Sequence, residues 1–467
     1  TVTDRNNAFV LKSNVKIYGG FAGTETLLSQ RNIVTNVVTL SGDIGTAGVT
    51  TDNCYHVVII AGLPGTITLL DGVSIVSGNA NASFVIPSIT VNTHSINPRN
   101  GGGMYKVSSN TDITDCRFRR NDASVSGGGI YETLSAVTSV YTSCTVLQNT
   151  SAADGGGIYI FNSGCLYQNC SFTSNDATDD GAGIYFNGTG SPAFTGCTIS
   201  SNSATSEGGA LYITGTGSPS FDSCVMSTNT AGSNGGAISN LTTGTLYLTS
   251  IIISGNTSGS TGGGIYNNNS PAQLTNCLIS GNLASAGGGI WNALSDAIII
   301  NCTIAGNRAT SQGGGIANGS SNPTIQNCVV YGNTGIPSGT NEFYNSGSTP
   351  VVEYSLIQGG FTGTGNVNAD PLFVTPVAAS FAPTITGDYH IQPCSPVLNA
   401  GENSYIPLGI TTDLDGNPRI NYGYVDMGAY EKQLQLAVPD ANGIVYVDYT
   451  KTGNGSSWAN AVADLSD

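Results

Sequence analysis

The 467-residue sequence predicts an all-β fold, a parallel β-helix, because it combines a repeat of 25–28 residues, strand-like alternation within each repeat and no helical periodicity. Nine glycine clusters occur at this spacing between residues 101 and 315, each followed by an aliphatic residue in the next position or by Met104. Short runs rich in Ile, Thr, Tyr and Val alternate with Gly, Asn and Ser. Coils of this length would stack at the strand spacing of roughly 4.8 Å.

When the nine repeats are aligned on their glycine clusters, two other positions contain nearly the same residue in every repeat, and we call each such set of equivalent residues a column. The second column lies five residues after the first in all nine repeats. The first column contains Ile251 once and cysteine elsewhere, at Cys116, Cys144, Cys170, Cys197, Cys224, Cys277, Cys302 and Cys328. The second column is asparagine throughout, at Asn121, Asn149, Asn175, Asn202, Asn229, Asn256, Asn282, Asn307 and Asn333. We expect the cysteines to be buried and mostly free, as small apolar residues. We expect the asparagines to adopt left-handed turn conformations and to hydrogen-bond along the axis, with glycine at the corners.

The repeat also predicts how the chain is divided. The predicted regions are N-terminal coils with an insertion (1–100), regular coils (101–335), irregular C-terminal coils (336–431), and a linker with the start of another module or a donated segment (432–467). Within the N-terminal region, the stretch LDGVSIVSGN matches the repeat, which assigns Ser74 to the cysteine column and Asn79 to the asparagine column.

Composition excludes several classes of function. The chain has 29 acidic and 13 basic residues and a net charge of -16, which argues against binding to nucleic acid or to an anionic membrane surface. Hydrophobic residues make up 39% of the chain, enough for a buried core. No apolar run approaches the ~18 residues of a membrane span.

The repeats, with their pattern GGGI…C…GN, resemble the bacterial polymorphic-membrane-protein and pectate-lyase-like β-helix repeats. The stretches ADPLFV, SPVLNAG, DLDGNPR and YVDMGAYE, between residues 369 and 431, resemble the choice-of-anchor modules of large bacterial surface proteins. The resemblance implies right-handed coils, as the crossover rule also favours, and a secreted, extracellular protein of the cell surface. In that family a stretch like 446–467 opens a module, which predicts a tandem array or subunits that complete one another head to tail.

A β-helix enzyme acting on polysaccharide is an alternative, although we predict that the chain is not an enzyme. A lyase for acidic sugars needs a basic proton abstractor, and Arg308 is the only basic residue between Asn121 and Pro418. A hydrolase would use clustered carboxylates, and Asp179 and Asp180 are the only adjacent pair in the repeats. The similar corner residues Asp154 and Glu207 are expected to lie several coils apart, so a solvated turn is the preferred interpretation.

A calcium site is a second possibility, at Asp413, Asp415 and Asn417. These residues place alternate oxygen ligands around Gly416, as calcium loops do. They lack the glutamate at the twelfth position of an EF-hand loop, and an ordinary turn is the preferred interpretation. No other cofactor is predicted.

An aromatic column is the best candidate for ligand binding. The residue after each inward aliphatic residue is aromatic in seven of nine repeats and is predicted to point outward. The candidate ligand-binding residues are Tyr131, Tyr159, Tyr185, Tyr212, Tyr266 and Trp291. They either stack on one another and stiffen this face, or present a platform to a glycan or a packed neighbour.

The function that these observations favour is structural. We expect an extracellular fibre, stalk or adhesin subunit of a bacterial cell surface, able to form filaments. A carbohydrate-binding module that uses the aromatic column and a polysaccharide-degrading enzyme are the alternatives. The expected partners are copies of the protein itself or adjacent modules of a longer chain, together with glycans, and neither nucleic acid nor a membrane span is expected.

Overall fold

A computed structural model describes residues 4–63, 68–135, 139–337, 339, 341–433, 441, 442 and 444, and the following statements concern these residues. The strands stack in parallel around one axis and form a β-helix, which confirms the predicted fold class. The described residues contain three twelve-stranded sheets and a narrower nine-stranded sheet. At roughly 4.8 Å per layer, the twelve layers span about 50 Å. No helix in these ranges has the length and apolar character needed to cross a membrane.

Sheet 1 follows the glycine clusters, and its strands are two to five residues long. In chain order they are Phe9–Val10, Val58–Ala61, Met104–Val107, Ile130–Thr133, Ile158–Phe161, Ile184–Gly188, Leu211–Gly215, Ile238–Thr242, Ile265–Asn268, Ile290–Ala293, Ile316–Gly319 and Phe343–Ser346.

Sheet 2 precedes the cysteine column. Its strands are Lys16–Tyr18, Thr68–Asp71, Thr111–Thr114, Val140–Thr142, Leu166–Gln168, Ala193–Thr195, Ser220–Asp222, Leu246–Thr249, Ala272–Thr275, Ile298–Ile300, Thr324–Gln326 and Val351–Glu353.

Sheet 3 follows the cysteine column. Its strands are Val38–Ser41, Val73–Val76, Arg117–Arg119, Thr145–Leu147, Ser171–Thr173, Thr198–Ser200, Val225–Ser227, Ile252–Ser254, Leu278–Ser280, Thr303–Ala305, Val329–Tyr331 and Leu356–Ile357.

Sheet 4 follows the asparagine column and consists of two-residue strands. They are Asn79–Ala80, Asp122–Ala123, Thr150–Ser151, Asp176–Ala177, Ser203–Ala204, Thr230–Ala231, Thr257–Ser258, Leu283–Ala284 and Arg308–Ala309. Outside the four sheets lie two antiparallel hairpins and short 3-10 helices. The hairpin strands are Ile89–Val91 with His94–Ile96 and Phe373–Thr375 with Asp388–Ile391, and the 3-10 helices are Leu28–Gln30, Thr50–Asp52, Ala379–Phe381 and Asn403–Tyr405.

The cysteine column forms the predicted inward ladder. Cys197 and Cys224 lie on adjacent layers, and the backbone N–H of Cys197 donates to the Cys224 sulfur at 3.3 Å. All eight column cysteines are buried and free. Burial raises the pKa of the column thiols Cys116 and Cys302. Outside the column, burial raises the pKa of Cys54 to about 11, although the nearby Arg5 opposes the shift.

The asparagine column forms a continuous buried ladder. From Asn149 to Asn333, each side-chain oxygen accepts two hydrogen bonds from the preceding asparagine, one from its backbone N–H and one from Nδ2, at 2.9–3.0 Å. Each Nδ2 also donates to a carbonyl of the previous coil, as Asn229 does to Ile199. The expectation that these asparagines adopt left-handed conformations is wrong. The positive φ belongs to the residue just before each ladder position, for example Thr228 at 56° and Arg120 at 53°.

The predicted register of the earlier coil is wrong by one residue. Ser74 pairs with Arg117, so Val73 occupies the layer position of Cys116. Asn79 pairs with Asp122, and Gly78 donates its N–H to the Asn121 side chain at the start of the ladder. The reason is physical: Val73 can fill the apolar interior, whereas Ser74 in that position would bury a hydroxyl.

The last asparagine of the ladder, Asn333, donates its hydrogen bonds to a carboxylate instead of to another asparagine. Asn333 donates its backbone N–H and its Nδ2 to the two oxygens of Glu342, at 3.2 and 2.5 Å. Burial raises the pKa of Glu342 to about 7, although these hydrogen bonds from Asn333 oppose the shift.

We expect Glu342→Gln to make stability less dependent on pH. A carboxyl group whose pKa is raised on folding stabilises the fold fully below its unfolded pKa, near 4.5, and this contribution is lost as pH rises through about 7. A glutamine oxygen can accept both donations from Asn333, as the ladder asparagines do. The melting temperature of the wild type should therefore fall relative to that of the variant between pH 5 and pH 8 (~3 pH units). Parallel profiles of melting temperature against pH would contradict this role.

The C-terminal region leaves the coil stack after one further layer. Residues 358–367 fold over the last layer, where Ile357 donates its N–H to Val367 and Phe361 packs on Phe343 at 5.1 Å between ring centroids. Residues 368–433, the C-terminal module, then run back along the outer face of sheet 3. The region predicted as irregular coils therefore contains one layer of the β-helix and a segment packed against its side.

The C-terminal module is held by an apolar contact and by hydrogen bonds. Phe373, Tyr389 and Met427 cover the outward side chains of Leu278 and Val329, and all five are buried. Gly428 donates its N–H to the Asn327 carbonyl at 2.8 Å, and Ala429 donates to the Thr303 hydroxyl at 3.0 Å. The outward side chains of sheet 3 are mostly hydroxyl-bearing in the middle coils and mostly apolar in the coils that the C-terminal module covers. This change in the sequence could have predicted that the outer face of sheet 3 is covered there.

Candidate functional site

The outer tyrosines of sheet 1 form a stacked row. Tyr131, Tyr159, Tyr185 and Tyr212 follow one another with ring centroids 4.7–5.2 Å apart and interplanar angles of 8–15°. Tyr105 continues the row at a tilt of 30°, and the hairpin of residues 89–96 packs over it. Because the ring faces contact one another, mainly ring edges and hydroxyl groups remain for a ligand. The geometry favours the self-stacking interpretation.

The remaining two candidates of this column lie beyond a gap. Ser239 occupies the next layer after Tyr212, and Tyr266 pairs in register with Trp291 two and three layers on. Both side chains are half-buried. The glycan platform on this column stays a prediction.

Three carboxylates converge beside the tyrosine row, at the corner between sheets 4 and 1. Each of Asp154, Asp179 and Asp180 offers a ligand atom, and these atoms lie within 4.8 Å of one another. Burial, followed by repulsion from the neighbouring aspartates, raises the pKa of Asp154 to about 6. Burial likewise raises the pKa of Asp180 to about 6.

The expectation that these corner residues lie several coils apart is wrong. Asp154, Asp180 and Glu207 occupy the same corner on consecutive layers, because Gly155 donates its N–H to the Asp180 carbonyl and Gly181 donates to that of Glu207. Asp180 also accepts the Glu207 N–H at 2.9 Å through its side chain. The spacing of the glycine clusters could have placed these carboxylates together.

The predicted calcium ligands serve other partners. Asp413 is buried and accepts the N–H groups of Asp415, Asn417 and Glu431 at 2.8–3.0 Å. The Asp415 carboxylate lies 2.6 Å from Nε2 of His390. This arrangement is that of a turn held by its first carboxylate, which favours the ordinary turn. Calcium binding here stays a prediction.

A buried ion pair in the β-helix interior was missed in the sequence. Lys106 and Glu132 pair in register on adjacent strands of sheet 1, both fully buried, with Nζ 3.0 Å from Oε1. Burial opposes both charges, yet each partner stabilises the other. The Glu132 carboxylate raises the pKa of Lys106, and the Lys106 ammonium lowers that of Glu132.

The same ion pair explains Cys165, which lies outside the cysteine column. The Cys165 thiol donates to Oε1 of Glu132 at 2.5 Å, and the Ser163 hydroxyl donates to the same oxygen at 3.0 Å. The hydroxyl of Tyr141 donates to Oε2. The carboxylate thus has several donors in addition to Lys106.

One alternation rule could have found this cluster. The residue two positions after the inward aliphatic must also point inward, and in this column stand Lys106 and Glu132. Further along the same column, Asn240, Asn267, Asn292, Asn318 and Asn345 form a second ladder with bonds of 2.8–3.0 Å.

These features define a parallel β-helix protein with stacked internal ladders, an outer tyrosine row and an acidic corner. Residues 153–294 match the family model of the right-handed β-helix region, so the coils are right-handed. Among solved structures, the chain is similar to the crystal structure of pectate lyase Pel9A, with 13% identity, 91% of this chain and 88% of that chain covered, and a TM-score of 0.37. No curated protein matches the chain.

Proposed function

We propose that the protein is a structural rod of a bacterial cell surface, a stalk or adhesin subunit whose copies stack head to tail. The observation that carries this proposal is the open first layer of the β-helix. Within the described residues, its strands Phe9–Val10, Lys16–Tyr18 and Val38–Ser41 each pair on one side only. Phe9 is 50% exposed and Val10 is 37% exposed. Unpaired strand edges with apolar side chains favour pairing with another chain.

The opposite end also offers strand edges. Residues 358–367 pair with the last strand of sheet 3, whereas Phe343–Ser346 and Val351–Glu353 pair on one side only among the described residues. Val351 is 50% exposed. A contact between unlike ends of identical subunits gives an open filament when each copy continues the axis of the last, as stacked coils would.

The charge distribution also favours contact between unlike ends of the rod. Residues 1–120 contain nine basic and seven acidic residues, whereas residues 121–467 contain four basic and twenty-two acidic residues. The first end of one copy is therefore weakly positive, and the rest of its neighbour is strongly negative. Such an arrangement steers unlike ends together and separates like ends.

The test is the mass and shape of the full chain in solution. Sedimentation and negative-stain electron microscopy should show rods several subunits long for the wild type. The double variant Phe9→Asp, Val10→Asp, which places charge on the open edge, should give single subunits. Tyr247→Asp is the matched control, because Tyr247 is 41% exposed and lies on the eighth of the twelve layers, inside the rod, and it should assemble normally. A wild type that stays monomeric, or an edge variant that still assembles, would contradict stacking.

One observation favours a second candidate, a glycoside hydrolase at the acidic corner. Asp154 and Asp180, each with a pKa near 6, lie together beside the tyrosine row. Carboxyl groups with raised pKa values can exchange protons with a glycosidic oxygen. Release of reducing ends from plant and bacterial polysaccharides, lost in Asp154→Asn and in Asp180→Asn, would support this activity over a purely structural role.

A further inference from the structure

The outer face of sheet 3 carries an arginine groove in its N-terminal layers. Arg117 and Arg119 project from one strand, Arg120 follows them, and all three are exposed. They line a groove of about 640 Å³. We propose that this groove binds a sulfated glycan.

The three guanidinium groups have no ionic partner within the described residues. The ion pairs found there do not include Arg117, Arg119 or Arg120, whereas Arg31 lies 2.7 Å from Asp71. Arg119 makes only a long bond, 3.4 Å from Nε to Gln148. In a chain with more than twice as many acidic as basic residues, three adjacent unpaired arginines form a local positive site.

The spacing and chemistry of the groove suit sulfate esters on a sugar chain. Arg117 and Arg119 are two residues apart on one strand face, so their backbones are about 6.6 Å apart. Two such guanidinium groups can each bind a separate oxyanion with paired hydrogen bonds. A sulfate ester carries a full negative charge on terminal oxygens that can accept such paired hydrogen bonds. Because the layers beyond are acidic, a short ligand with dense charge is favoured over a long polyanion of low charge density.

The rest of the lining suits a saccharide. Thr39, Ser74 and Thr145 supply hydroxyl groups for sugar hydroxyls, and Val76 and Leu147 supply apolar surface for the ring face. Arg117–Arg119 is an interior strand with partners on both sides, so no edge is free to bind a peptide as an added strand. The groove lining contains no aromatic side chain on which a nucleic-acid base could stack.

The experiment is calorimetric titration of the full chain with a size-defined sulfated hexasaccharide at low and moderate salt. We expect binding that weakens with salt. Each of Arg117→Gln, Arg119→Gln and Arg120→Gln should weaken it about threefold, and the triple variant roughly thirtyfold. The exposed pair Lys12→Gln, Lys16→Gln removes charge from the same end outside the groove and should bind like the wild type. Circular dichroism verifies that each variant is folded.

The competing ligands are arms of the same experiment. The chemically desulfated hexasaccharide, an unsulfated polygalacturonate oligomer of equal length and a single-stranded oligonucleotide should each bind at least tenfold more weakly (~1.4 kcal/mol). Equal binding of any of these, no binding of the sulfated probe, or a triple variant with unchanged affinity would overturn the proposal. A Tyr159→Ala, Tyr185→Ala variant should retain binding, and loss of binding there would move the site to the tyrosine row. Val37 and Thr39 bring the groove up to the open strand Val38–Ser41, but the three replaced arginines lie at the third layer. Glycan binding by the arginine variants and the mass of the assembly are separate readouts, so failure here leaves the filament proposal intact.

Discussion

Lys106→Met should lower the free energy of unfolding by about 4 kcal/mol, because it leaves the Glu132 carboxylate buried without its counter-ion. Both side chains of the pair are completely inaccessible to solvent. Methionine fills a similar volume, so the effect reports on the lost charge and not on a cavity. Urea-induced unfolding followed by circular dichroism measures the difference.

The double variant Lys106→Met, Glu132→Gln tests the cause. The glutamine is neutral, and its oxygen can still accept the hydrogen bond that Cys165 donates to Oε1 in the wild type. Its amide nitrogen at the other position can donate to the Tyr141 hydroxyl, which donates to Oε2 in the wild type. It should therefore recover more than half of the lost stability. Lys12→Met, at an exposed lysine, is the matched control and should change stability by less than about 0.5 kcal/mol. A Lys106→Met protein as stable as this control would show that the ion pair contributes nothing.

The second large effect is expected for Asn229→Ala in the middle of the asparagine ladder. The change removes the oxygen that accepts the backbone N–H and Nδ2 of Asn202, at 3.0 and 2.9 Å. It also removes the donor to the Ile199 carbonyl. Each buried group left without a partner costs about 1–3 kcal/mol, so we expect a total loss of roughly 4 kcal/mol.

Thr198→Ala is the matched control on an adjacent layer, because it removes an exposed hydroxyl. It should leave the urea midpoint nearly unchanged. Hydrogen exchange should also show faster opening around Asn202 in the Asn229→Ala protein and unchanged protection in the control. Similar midpoints for the two variants would mean that the ladder follows from the fold without stabilising it.

The repeat made the fold predictable because identical layers impose one register on every column. Cys197 and Cys224 are neighbours for the same reason that any two members of the column are. A register assigned from the repeat fails where the repeat is imperfect. The match at Ser74 rests on residue similarity, and only the burial of Val73 distinguishes the correct register from a slip of one residue.

The candidate sites were less predictable, because each depends on residues that occur once. The Lys106–Glu132 pair follows from strand alternation, although the repeat draws attention to residues that recur. The docking of the C-terminal module depends on contacts such as Asn276 Nδ2 to the Thr412 carbonyl, across more than a hundred residues. No local pattern specifies such a contact. The arginine groove needs the neighbouring layers to be aligned before its lining residues can be identified.

The asparagine ladder has a consequence for how such proteins change length during evolution. Every internal rung receives two hydrogen bonds on one oxygen and passes two on to the following rung, so all rungs are interchangeable. Duplication or loss of one whole winding would leave every amide satisfied and would shift only the distance between the two ends. Rod length can therefore vary in single steps of one repeat, without any compensating substitution in the interior.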